Sequence, residues 1–438
     1  MPEQIFIHSI KVDEEKCIGC VACMKTCPTK AIRIRREKAR INFEKCIDCG
    51  ACLRVCPYGA IIPITTASSD LDRFKFKIAL PSPVIYTQFG EQVMPNEILT
   101  IISEIGFDHV YDEALVCEMI SVAIEEYLDE NKSPRPIISS TCPVVVRLIQ
   151  RLFPSLCKNI LPLEPPREIA AKNLRIEVNR EKGYAPEEIG IIDITPCSAK
   201  MVSITRPETM EKSNLDGAIS IKEIYNKVMM KLKRNLPMTM MQTQNRISGI
   251  GIGWAFEGGE IRGLKYTNSV SVSGVLNTIR ILEDVESGRL KNIEYLECLI
   301  CPDGCIGGPL TVENRFIAKS NVLRLIRHFG GKKRVNTEMV RKLYKENFFS
   351  FKWAVEPKSF PPLDKDRDKA IKKLKDKERL IKQLPGTDCG VCGAPDCQTL
   401  AEDIVRGEAK LEDCIHYNKI VMKDKNSTGD KNEARRNR

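Results

Sequence analysis

The chain has 438 residues, an apolar share of 42% and a formal charge of +10, enough material for several domains with large cores. No nucleic-acid-binding motif is evident, 6% aromatics leave little for base stacking, and no run of 18 apolar residues offers a membrane span. The N-terminus shows no apolar stretch after a basic one and no twin arginine, so we expect a cytoplasmic protein whose nineteen cysteines bind metal rather than form disulfides.

The first predicted elements carry eight of those cysteines. "CIGCVACMKTCP" (17–28) and "CIDCGACLRVCP" (46–57) both read C-x2-C-x2-C-x3-C-P. In two-cluster bacterial ferredoxins the fourth Cys of each run ligates the other cluster. Cys17, Cys20, Cys23 and Cys56 then hold one 4Fe–4S cluster, and Cys46, Cys49, Cys52 and Cys27 the second. Thiolates are soft anionic ligands suited to iron–sulfur clusters, and zinc is the weaker alternative in this doubled register. Between the runs, "AIRIRREKARINF" alternates apolar and polar residues around a polar turn, which predicts a hairpin. Its basic outer face is either a solvated surface or a docking patch for an acidic electron carrier. Residues 1–72 are thus expected to form an α+β two-cluster ferredoxin domain.

From about residue 75 to 335 apolar runs alternate with helical patterns. "FKIALPSPVIYTQF", "IGIIDITPC" and "NIEYLECLIC" predict buried strands; "PNEILTIISEIGF", "ISVAIEEYL" and "SVSGVLNTIRILEDVESG" predict helices. The alternation argues for an α/β domain, in which ligands gather at the carboxyl ends of strands. Two of the three strands end on a cysteine motif, "ITPCSAKM" (Cys197, with Lys200) and "ECLICPDGCIGGPL" (Cys301 and Cys305), and "STCPVV" (Cys142) is a third such motif. Cys117, Cys157 and Cys298 fit no ligand pattern and are expected to be packed thiols.

Residues 336–380 are read as a charged linker, and "LDKDRDKAIKKLKDKERLIKQ" (363–383) as its helical, solvated spacer. Within 381–420, Cys389, Cys392, Cys397 and Cys414 are spaced C-x2-C-x4-C-x16-C. Leu400, Ile404 and Val405 between the last two predict an amphipathic helix. This resembles the small four-cysteine iron–sulfur domain appended to several redox proteins, with zinc as the competing occupant. Residues 421–438 are a polar tail expected to be disordered.

The three central motifs resemble the signatures of FeFe-hydrogenases, usually written TSCCPxW, MPCxxKK and MxCPxGCxxGG. "GFDHVYD" (106–112), "EPPREIAAK" (164–172) and "SNLDGAISIKEI" (213–224) match family stretches in the same order, so the resemblance covers roughly 75 to 310. It implies a two-lobed α/β catalytic domain over 73–335, making the whole chain a multidomain α/β protein. It further implies an H-cluster: a 4Fe–4S cube joined to a two-iron unit that carries CO, cyanide and a dithiolate bridge. Carried over, Cys142, Cys197, Cys301 and Cys305 hold the cube and Cys305 bridges to the two-iron unit. Lys200 hydrogen-bonds a cyanide ligand, and Ser82, Pro83 and Val84 match the first lining loop. Gly304, Gly307 and Gly308 let backbone approach closely. Three accessory 4Fe–4S clusters complete the set.

The family motif has two adjacent cysteines, the first of which shuttles protons. Here Thr141 stands in that place. A thiol with a pKa near 8.5 exchanges protons near neutrality, and an aliphatic hydroxyl is far too weak an acid to do so. Leu299, Thr195, Val145 and Arg167 also depart from the family pattern, and its proton-path glutamates do not map onto Glu125 and Glu126. Parts that hold clusters are kept and parts that move protons are altered, as in the sensory branches of the family. The resemblance therefore implies a FeFe-hydrogenase-like oxidoreductase acting reversibly on dihydrogen and protons with slow turnover, in sensing or regulation. Two alternatives stand beside it. One is an ordinary ferredoxin-linked hydrogenase. The other is a non-enzymatic iron–sulfur protein, for electron transfer or assembly, without the two-iron unit. An acidic ferredoxin-like carrier or a signalling protein would be the partner; the oligomeric state is not legible.

Overall fold

Strand Ile189–Thr195 (IGIIDIT) is buried at every position, as expected of a parallel strand covered on both faces. It pairs in parallel with Phe76–Pro81 on one side and Gly217–Ser220 on the other, and His109–Val110 extends the sheet beyond Phe76–Pro81. A second, three-stranded parallel sheet runs Ser269–Ser273, Tyr295–Leu299, Ile137–Ile138. Two parallel sheets wrapped by helices give the two-lobed α/β architecture. The computed structural model describes residues 8–131, 134–233 and 248–417, and the tail 421–438 lies outside them. Among the described residues, no helix is long and apolar enough to cross a membrane.

Contacts divide the chain into two units. One comprises Met1–Ile10, Ile47–Gly50 and Pro63–Ser359, and contains both parallel sheets; the other comprises Lys11–Cys46, Ala51–Ile62 and Phe360–Arg438. This division cuts across the segments read in sequence: 47–50 and 63–72 count with the first unit, and most of the N-terminal cysteine segment shares the second unit with the C-terminal one. Residues 336–359, expected to be linker, belong to the first unit because Val340 and Phe349 are buried in its core. Glu164 N also donates to Phe349 O at 2.8 Å. A second difference lies in "SVSGVLNTIRILEDVESG": its first residues end a strand, Ser269–Ser273, and the helix is Val275–Glu286. Gly274, at φ +89°, makes the corner between them.

In the second unit, helices Ala22–Thr26 and Ala51–Val55 flank the antiparallel hairpin Ile32–Arg35/Lys38–Ile41. The same unit holds helices Arg367–Gln383 and Cys397–Val405. The hairpin's basic face is not a free surface. Arg33 is buried and forks onto Asp403 through Nε (2.6 Å) and Nη2 (2.8 Å), and Arg35 joins at 2.8 Å. Lys45 adds an ion pair with Glu402 at 2.6 Å. The stretch read as a solvated spacer is likewise engaged, because Leu380 and Ile381 pack on the apolar cluster around Leu400 and Ala401.

Candidate active site

Four strand ends supply the walls of one cavity of about 680 Å³. Ser82 and Pro83 follow Phe76–Pro81, and Cys197 follows Ile189–Thr195. Thr141 and Cys142 follow Ile137–Ile138, and Ile300 and Cys301 follow Tyr295–Leu299. Both sheets thus point their carboxyl ends at the same place, the usual position for a ligand in α/β folds. The predicted Cys305, Lys200 and Gly304 line the same cavity, as do Arg167 and Leu299. Val145 is buried off the wall.

Local geometry follows from the sequence. Cys142 and Cys197 are the N-cap residues of helices Pro143–Leu152 and Ser198–Thr205, where unpaired amides and the helix dipole favour an anionic ligand. The turn 301–308 is fixed by backbone bonds, Gly304 N to Cys301 O and Gly308 N to Cys305 O. Its glycines serve chain packing. Gly304 has φ +86°, and a Cβ there would lie 2.5 Å from Glu257 N; one on Gly308 would lie 2.4 Å from Pro196 O.

The four thiols influence one another. Burial, then its neighbour Cys197, raises the Cys142 thiol. Cys305 is raised well above the ordinary thiol range by burial, against Lys200 and with Cys142, Cys301 and Cys197 adding to it. Four converging thiolates, two of them on buried and two on half-buried cysteines, repel one another unless a metal supplies positive charge. Lys200 is buried, and its Nζ stands 3.6 Å from Asp193 Oδ2. Burial pulls its ammonium down, but Asp193 and Glu113 outweigh that and hold it above the usual lysine range. Arg167 Nε and Trp254 Nε1 are buried without a hydrogen-bond partner. Thiols and unmatched N–H donors lining the same cavity fit a cluster that carries anionic ligands.

Two further cysteine sets gather in the second unit. Cys17, Cys20, Cys23 and Cys56 line one concavity of about 300 Å³, and Cys389, Cys392, Cys397 and Cys414 another of about 290 Å³. Burial, then Cys17 and Cys20, push the Cys23 thiol up to about 11. Ala39 N and Ala60 N donate to Cys17 Sγ and Cys56 Sγ at 3.3 Å each. The remaining set is divided between the units: Cys49 counts with the first, and Cys27, Cys46 and Cys52 with the second. Within the first unit the Cys49 loop meets the Cys197 helix, since Ser198 Oγ donates to Asp48 O at 3.2 Å. A Cβ on Gly50 would lie 2.6 Å from Pro309.

Sequence reading missed four residues here. Glu113, Cys117 and Trp254 line the cavity, and Asp193 is fully buried beside Lys200. Cys117 was expected to be a packed thiol; it is buried and also faces the site, whereas Cys298 is simply buried and Cys157 half-buried. The one signal available was Asp193, a charge inside an otherwise apolar strand.

Residues 75–261 and 251–309 match the family "Iron only hydrogenase large subunit, C-terminal domain", more than half of the chain. The chain belongs to the iron-only hydrogenase large-subunit family. Residues 9–57 match a 4Fe-4S dicluster domain and 384–416 a family named for an Fe-S cluster. The chain is 25% identical to the periplasmic [Fe] hydrogenase large subunit of Nitratidesulfovibrio vulgaris, over 69% of this chain and 86% of that one. It is 22% identical to iron hydrogenase 1 of Clostridium pasteurianum, over 68% of this chain and 64% of that enzyme, less than two thirds of its length. A solved variant of [FeFe]-hydrogenase HydA1 from Chlamydomonas reinhardtii is similar with a TM-score of 0.49 at 14% identity, covering 67% of this chain and 97% of that one. Membership of the iron-only hydrogenases supports iron–sulfur clusters and the H-cluster as cofactors.

Proposed function

We propose that this iron-only hydrogenase family member is an oxidoreductase that splits and forms dihydrogen slowly, as a hydrogen sensor or regulator in the cytoplasm. One observation carries the reading: Cys142, Cys197, Cys301, Cys305 and Lys200 line a single buried cavity together with Thr141. In this reading the four cysteines would hold the H-cluster, Cys305 would serve its two-iron unit as well as its cube, and Lys200 would donate to its cyanide. When bound, the H-cluster supplies the centre at which dihydrogen is cleaved into protons and electrons. The chain's own part is to hold that group, keep water out and handle the protons. Ser82 and Pro83 close one wall, and the apolar Leu299 excludes water beside it. Thr141 offers a hydroxyl where a thiol would serve proton exchange, which motivates slow turnover. Three accessory 4Fe–4S clusters, held by the remaining twelve assigned cysteines, carry the electrons. Their outlet is an acidic ferredoxin-like carrier or a signalling protein.

A second reading, an ordinary ferredoxin-linked hydrogenase, is favoured by the buried carboxyl of Glu113 on the same wall. Hydrogen evolution from a reduced artificial donor, measured on matured protein, separates the two by rate. Cys305→Ser is expected to abolish it while the reduced-state spectra of the accessory clusters persist. Evolution at the parent rate in that variant would refute the assignment of Cys305.

A further inference from the structure

The cavity must exchange protons with water although position 141 holds threonine. Glu113 lies on the cavity wall, 4% exposed, and its Oε2 is buried without a hydrogen-bond partner. It begins helix Glu113–Glu130. The charged groups that face it come from three other elements: Lys200 from helix Ser198–Thr205, Asp193 from strand Ile189–Thr195 and Arg167 from helix Pro166–Lys182. Asp112 and Cys117 come from its own helix and cap.

Counting these groups shows that the cluster favours binding one proton. Three carboxylates (Asp112, Glu113, Asp193) face two cations, Lys200 and Arg167. A fully ionised cluster therefore carries one negative charge in excess, buried, beside a site that takes an anionic group. Binding one proton relieves it. Asp112 spends Oδ1 on the helix cap, accepting from Ala114 N at 3.0 Å; its Oδ2 lacks a partner as Glu113 Oε2 does, but the residue is not on the cavity wall. Asp193 has Lys200 at 3.6 Å and is not on the cavity wall. Glu113 alone of the three opens into the cavity.

A second cavity of about 450 Å³ shares Pro143 and Arg167 with the first and is lined by Glu164, Glu168 and Glu208. Glu164 is 5% exposed and its Oε1 also lacks a partner. Of its lining acids, Glu208 is ion-paired with Lys358, whose side chain is 37% exposed, so this cavity reaches towards solvent. The other buried acid near Cys117, Glu260, spends its oxygens on Ser139 (3.0 and 2.9 Å) and Tyr295.

We propose that Glu113 takes and releases protons inside the cavity, doing the work that Thr141 does not, and that protons reach it from the second cavity past Glu164. Forming one dihydrogen consumes two protons and two electrons. The electrons arrive through the clusters; Glu113 gives up its proton, is reprotonated from the Glu164 side and repeats. Burial, against Lys200, pushes the Glu113 carboxyl above the ordinary range, and burial pushes Glu164 up to about 7. Both acids are therefore suited to hold and pass protons near neutral pH.

The proposal rests on the hydrogenase reading only for its rate arm. The first arm uses the full chain carrying its iron–sulfur clusters but not the two-iron unit. Infrared difference spectra through a pH titration should show a protonated-carboxyl band near neutrality that is lost in Glu113→Gln and kept in Glu113→Asp. A titration identical in Glu113→Gln and parent overturns the proposal, whatever the protein catalyses. The second arm uses matured protein. Glu113→Gln should slow hydrogen evolution at least tenfold at saturating donor and flatten its pH profile, with partial rescue in Glu113→Asp. Glu164→Gln should slow it several-fold with the donor KM unchanged. Parent rates and parent pH profiles in either glutamine variant would overturn the route. Absence of turnover in the parent defeats the hydrogenase reading instead, and the infrared arm still decides the fate of Glu113.

Discussion

In the scheme proposed above, Glu113 handles the protons and Thr141 does not. The Thr141 backbone N–H donates to Ser139 Oγ at 3.2 Å, so the residue is fixed in place, but its hydroxyl is a poor acid. Thr141→Cys adds a group that titrates near working pH, and a well-placed acid–base group is worth roughly 100- to 10,000-fold. We expect a rise well below that, because Leu299, Thr195 and Arg167 remain. Thr141→Ala should be nearly neutral in hydrogen evolution. A large loss there would make the hydroxyl a working relay and favour the ordinary hydrogenase.

Glu164 gives a second expectation at this scale. Its carboxyl is raised by burial from an ordinary 4.5 to about 7. The folded chain therefore holds a proton between those values that the unfolded chain has lost. The stability this group contributes is complete below the lower value and disappears as pH rises through the higher one. At pH 8 the parent bears the cost of a buried carboxylate, on the order of 3 kcal/mol at most. Glu164→Gln should remove that cost and gain stability relative to the parent between pH 5 and 8 in urea denaturation. An unchanged pH slope would show that Glu164 ionises freely. Such residues were hidden in the sequence for a physical reason. The cysteines announce themselves by spacing, whereas Glu113, Cys117 and Trp254 come together only when separate helices fold around the strand ends.

Among elements, the strands that carry cysteine motifs were legible because both-face burial leaves continuous apolar runs, as in Ile189–Thr195. Ser269–Ser273 was not. Its serines and valines alternate for only five residues before helix Val275–Glu286, and that helix's longer period swamped the signal. The basic hairpin was legible as a hairpin, but its partner, the Cys397–Val405 helix, lies about 360 residues further on in the same unit. Asp403 on that helix takes both Arg33 and Arg35. Removing one member of a buried, hydrogen-bonded ion pair typically costs about 3–5 kcal/mol, because the remaining charge is stranded. Asp403→Ala should accordingly loosen helix Cys397–Val405, seen as faster amide hydrogen exchange there with the sheet Phe76–Pro81/Ile189–Thr195 unchanged. Exchange equal to the parent's would mean that the apolar contacts of Leu380, Ile381 and Leu400 hold the helix without the ion pairs.

For the whole molecule, cysteine motifs lie towards both ends of the sequence, and the cysteines that line the central cavity fall between them. Spacing alone marked those end motifs, since cluster ligands repeat at fixed local intervals. The account depends on the central cavity receiving its two-iron unit. Infrared spectroscopy of the matured full-length protein reads it directly. The account predicts sharp CO and cyanide stretching bands that are present in the parent, shifted in a Lys200 variant and missing in Cys305→Ser. A fully matured parent without those bands, its iron–sulfur clusters intact, would contradict the account and leave a non-enzymatic iron–sulfur protein.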